Sequence, residues 1–77
     1  MDATLQASTR QARITGPVPY RSGSGRQMNI PIGPCLLEGL DSPRVDIIWG
    51  TRGQSSVALT IAEVLAAREH GHLVMLD

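Results

Sequence analysis

Three side chains in this 77-residue sequence have the chemistry to hold a transition metal or to attack a carbonyl: Cys35, His70 and His72. Two imidazoles and a thiolate suit zinc, copper or nickel. Gly71 lies between the histidines and is placed to turn the chain, so their rings are expected to diverge. A closed zinc site takes four ligands, which one cysteine and two histidines cannot supply. Cys35 and a histidine would form a nucleophile and base only with an orienting third group, and the sequence offers none. Cys35 opens the apolar run Cys35-Leu36-Leu37, where a thiol acts as a small buried hydrophobe. The expectation is no metal, no cofactor and no catalytic constellation, hence a protein that is not an enzyme.

Gly50-Thr51-Arg52-Gly53-Gln54-Ser55-Ser56 combines glycine, hydroxyls and an arginine. A phosphate cradle needs backbone amides at a helix N-terminus, and no helix is expected to follow this loop. It reads as a hairpin connection, with Arg52 and Gln54 at its tip as candidates for partner binding. Trp49, the single tryptophan, fits the core or, as the alternative, anchors a partner.

Charge is unevenly spread. Residues 1–37 carry +3, from Arg10, Arg13, Arg21 and Arg26 against Asp2, and residues 38–77 carry −3. There is no lysine and no phenylalanine. The four arginines are candidates for a basic arm on nucleic acid.

These residues need elements to position them, and the chain divides near residue 27. Residues 1–27 are polar and small, with GPVPY at 16–20 and SGSG at 22–25. Such a segment has too little apolar surface to offset its ordering entropy, so a disordered tail is expected. From Met28 the pattern changes. Met28, Ile30 and Ile32 alternate with Asn29 and Pro31 and read as a strand with one buried face, held at an edge by Pro31. The run resumes at Cys35 to Glu38. Gly39 to Pro43 reads as a turn. Arg44 to Trp49 is the clearest strand, with Val45, Ile47 and Trp49 on one face and Ile48 on the other. Ser55 to Leu59 returns antiparallel, completing a meander.

Thr60-Ile61-Ala62-Glu63 fits a capping box that opens a helix over about 61–70. Ile61, Val64, Leu65 and Arg68 share one face of that helix. Gly71 stops it, and His72 to Leu76 reads as a last strand. That strand is expected to pair either with the first strand or beside a middle one.

The fold class expected over residues 28–77 is α+β: a small antiparallel sheet of four to five strands with one helix. A partly open SH3-like or OB-like small barrel is the alternative. One cysteine excludes an internal disulfide, and a domain this small has a marginal core, so a partner chain is the remaining staple. One helix covers one sheet face. Leu36 and Ile48, with Pro31 near the edge, are therefore expected to meet a protein partner or a second copy in a homodimer. A nucleic-acid-associated or regulatory role for the basic arm is the alternative. With no apolar leader segment and no membrane-length apolar run, no membrane association and a cytoplasmic location are expected.

Overall fold

The computed structural model of the chain describes residues 9–76. Among these residues seven strands and one helix follow in order: β1 (Thr9–Ile14), β2 (Pro19–Arg21), β3 (Gln27–Asn29), β4 (Gly33–Glu38), β5 (Arg44–Trp49), β6 (Ser55–Thr60), α1 (Ile61–Glu69) and β7 (Leu73–Met75). The fold is α+β. A five-stranded antiparallel sheet runs β6-β5-β4-β1-β7, and β2 and β3 form a separate two-stranded ribbon. The sheet is open, with β6 and β7 at its edges, and does not close into a barrel.

The β4-β5-β6 meander follows from residue type. Alternation along Arg44–Trp49 buries Val45 and Ile47 and turns Arg44 and Asp46 outward. Gly50 and Gly53 take φ of 103° and 66° in the connection to β6, a region open to glycine and costly for other residues. Pairing of Val45 with Leu59 and of Ile47 with Leu37 aligns the apolar positions on one face.

The disordered tail expected over residues 1–27 does not extend over residues 9–27. Thr9–Ile14 is an interior strand, paired with β4 along its whole length and with β7 over Ala12–Ile14. Its inward residues, Ala12 and Ile14, are fully buried. Composition under-reads such a strand, because half of its side chains face water and the backbone ladder on both sides supplies what apolar surface does not. Pro19–Arg21 then pairs with Gln27–Asn29 across the SGSG turn. The first eight residues of the expected tail lie outside the described residues.

The strand expected from Met28 to Ile32 is also corrected. Only Gln27–Asn29 pairs, and of the three alternating residues only Ile30 is buried, while Ile32 is 72% exposed. Pro31 breaks the ladder, so the alternation never acts as one face. Ile30 instead closes the ribbon, its N–H donating to Val18 O at 3.0 Å, and both side chains enter the core.

Helix α1 starts at the expected capping box. Thr60 Oγ1 accepts from Glu63 N at 3.1 Å, and Glu63 Oε1 accepts from Thr60 N at 2.9 Å. The helix lies against β5, β6 and β7. Its buried residues are Val64 and Ala67, with Ile61 half-buried one turn earlier. Leu65, expected in the packed face, is 48% exposed. The stripe at spacing three, Ile61-Val64-Ala67, faces the sheet because small Ala67 lets the helix end approach closely.

Ile14 tests the interior position of β1. Ile14→Ala is expected to destabilise the fold by about 2–5 kcal/mol, as truncation of a fully buried isoleucine does. Urea unfolding followed by circular dichroism measures this; a cost near zero would return residues 9–14 to a tail.

Candidate functional site

The sheet has two unlike faces. One packs on α1 and the ribbon, and the other has no element over it among the described residues. Strand register builds the open face residue by residue. Its middle row runs Leu76, Gln11, Leu36, Ile48 and Ser56, set by the pairs Gln11–Leu36, Leu36–Ile48 and Ile48–Ser56 and by Leu76 N donating to Gln11 O at 2.9 Å. Leu76 is 55% exposed, Leu36 is 39% exposed and Ile48 is half-buried. On one side of this row Val74, Arg13 and Pro34 lie abreast. On the other side come Thr9, Glu38, Asp46 and Ala58. An apolar row thus separates a cationic flank from an anionic one. Glu38 and Asp46 sit directly opposite each other, an arrangement that like charges disfavour unless a cation comes near.

The structure sorts the six partner-binding candidates. Leu36 and Ile48 are cross-strand neighbours at the centre of the open face. Pro31 and Trp49 are elsewhere, lining a depression of about 450 Å³ with Ile32 and Pro34. Trp49 is half-buried, its ring centroid 5.8 Å from that of Tyr20 at a tilt of 59°, so its indole braces the ribbon against the sheet. Arg52 and Gln54 do not project together. Gln54 folds back over Gly50, and its Oε1 accepts from Arg52 N at 3.0 Å. That amide completes the turn, a role that composition alone does not separate from recognition.

The four arginines do not form an arm. Arg10 and Arg13 stand on opposite faces of an interior strand, by their odd spacing along β1. Arg21 Nη1 donates to Gly25 O at 2.8 Å across the ribbon turn, which also contains Arg26. Folding of residues 9–27 has fixed cations that were expected on one flexible segment.

The histidines overturn a further expectation: their rings do not diverge. The centroids lie 5.7 Å apart with planes at 30°. His70 Nδ1 is 2.8 Å from Ala66 O, and His72 Nδ1 is 2.9 Å from Pro17 O. A carbonyl only accepts, so each Nδ1 carries a proton, and in the neutral ring Nε2 presents its lone pair. Gly71, at φ 76°, brings His72 back toward the helix end, and His72 N donates to Ala67 O at 2.9 Å. Both rings line a groove of about 320 Å³ between α1 and residues 17–19, with Leu59 in its wall. Gly16 is the sequence signal that was missed: a Cβ there would meet the His72 ring at 2.5 Å.

Cys35 is buried in the core. Burial pushes its thiol up from the ordinary range, which lowers the thiolate fraction at neutral pH. No three histidine, cysteine or carboxylate side chains converge on a metal position among the described residues. No helix among them is long and apolar enough to cross a membrane. No family model, curated protein or solved structure matches the chain.

The Cys35 environment has a signed pH dependence. The folded state holds the thiol proton more tightly than the unfolded chain, so this contribution is complete below the ordinary thiol pKa and is lost as pH rises through the raised folded value. Labelling by a thiol reagent at pH 7 is expected to be at least about ten-fold slower in the folded than in the unfolded protein. Stability should fall in the alkaline range, and Cys35→Ala should flatten that fall. Equal labelling rates in the two states would contradict the burial.

Proposed function

We propose that the protein is a non-enzymatic interaction module that self-associates through the open face of its sheet. The observation that supports this is the middle row, where exposed Leu36 and Leu76 and half-buried Ile48 lie between opposite charges with no described element over them. A solvated sheet face normally alternates to polar residues, so an apolar row there indicates an interface.

A second copy fits the charge order. In a face-to-face pair whose two-fold axis follows the middle row, each residue meets the partner copy's residues from the opposite flank. Leu36 and Ile48 then meet their own equivalents. Arg13 of each copy comes over the flank holding Glu38, which also places a cation beside the Glu38–Asp46 pair. Strands of the two sheets run nearly aligned, as in stacked antiparallel sheets. Arg44 lies one row beyond Asp46 on the same face, at the end of the sheet.

Size sets the strength. Four strands of six residues and one of three span about 24 Å by at most about 20 Å, so two faces remove roughly 900 Å² from water, below the usual range for a stable interface. A weak, concentration-dependent dimer is therefore expected.

Sedimentation over a concentration series tests this. Ile48→Lys should give a monomer at every concentration with an unchanged circular dichroism spectrum. Arg13→Glu should weaken the dimer by about ten-fold or more, and adding Glu38→Arg should restore it, because reversal on both flanks keeps the faces complementary. A native chain that stays monomeric to millimolar concentration would refute self-association through this face.

A further inference from the structure

The geometry points to a divalent transition-metal site formed by His70 and His72, of the two-imidazole class that takes copper, nickel or zinc with water in the remaining positions. Three observations carry it. The first is ring placement. Metal–nitrogen bonds of about 2.0–2.1 Å at tetrahedral or square-planar angles put two imidazole centroids about 4.5–5.5 Å apart. The observed separation is 5.7 Å, just outside that range, so binding a metal would draw the two rings slightly together.

The second is the state of the rings. Metal-binding histidines characteristically donate one N–H to a carbonyl or carboxylate, which fixes the tautomer and frees the other nitrogen. Both histidines do so here: His70 through Nδ1 to Ala66 O and His72 through Nδ1 to Pro17 O. In the neutral rings both Nε2 atoms are left as the nitrogens open to a metal.

The third is the support behind them. His72 O accepts from Thr15 N at 2.8 Å and from Gly16 N at 3.3 Å, and Thr15 Oγ1 donates to Gly71 O at 2.6 Å. The turn carrying His72 is therefore tied to the end of β1, while His70 is tied to α1. A bound metal would tie the end of α1 to the turn that directly follows it. His70 is exposed and His72 half-buried, so solvent reaches the open coordination positions. Glu63 shares the groove but lies two turns up the helix from His70, about 10 Å along the axis, and serves the cap instead.

Copper(II) is the probe, because it binds such sites most tightly among the divalent first-row ions. The untagged full chain, held at a concentration where sedimentation finds monomer, is titrated in a non-coordinating buffer. One ion per chain is expected, with a rise in melting temperature and an electron paramagnetic resonance spectrum showing two imidazole nitrogens. His70→Gln and His72→Gln should each weaken binding at least ten-fold. His72→Gln risks the fold, since its ring packs beside Gly16. His70→Gln removes a ring bonded only within its own helix, and the spectrum of the native chain needs no variant at all. A spectrum with a single nitrogen, or His70→Gln binding as tightly as the native chain, would overturn the site. Monomeric protein that binds copper keeps this inference standing even if self-association fails.

Discussion

The fold depends on the backbone ladder of Thr9–Ile14 between β4 and β7. Among the described residues β7 has no other strand partner, so without this insertion the described sheet ends at β4. Both candidate sites inherit from it. Gln11 and Arg13 complete the open face, and the residues that leave β1, Thr15 to Pro17, hold His72 by its carbonyl and its ring. Pairing residues near 12 with residues near 75 closes almost the whole chain. That closure is entropically unfavourable, and it is offset by burial of Ala12, Ile14 and Leu73.

One nine-residue helix then decides what is left uncovered. α1 lies over one face of a five-stranded sheet, and the ribbon closes the rest of that face through Val18, Ile30 and Tyr20. The other face has no element over it among the described residues. Its apolar row and separated charges are the ground for the proposed second copy. A domain with so few buried side chains gains stability from a partner in proportion more than a large one does.

The histidine pair and the open face lie on different parts of the molecule and draw on different physics. One is a question of lone pairs held in place by backbone carbonyls, and the other of apolar area and charge order. Gly16 and Gly71 serve the first by letting the backbone come close and turn back. Neither glycine touches the second.

Much of the second half of the chain was legible without coordinates. Alternation in Arg44–Trp49 and Ser55–Thr60, glycines between them, and the Thr60–Glu63 capping box are local signals with local causes, and each formed as the residue types dictate. Ile48 was placed on the second sheet face by strand parity, while the choice between Leu36 and Cys35 as its neighbour there was settled by register. Tertiary structure decided the rest. Residues 9–14 became a strand because two other strands paired with them, which no count of their own apolar residues foretells. Leu65 turned outward because packing, not helical spacing, chose the contact stripe. The two histidines met because a glycine turn, a helix end and Pro17, more than fifty residues away, converge on one point. Local sequence fixes dihedrals and alternation; which distant segments are brought together depends on the free energy of the whole assembled chain.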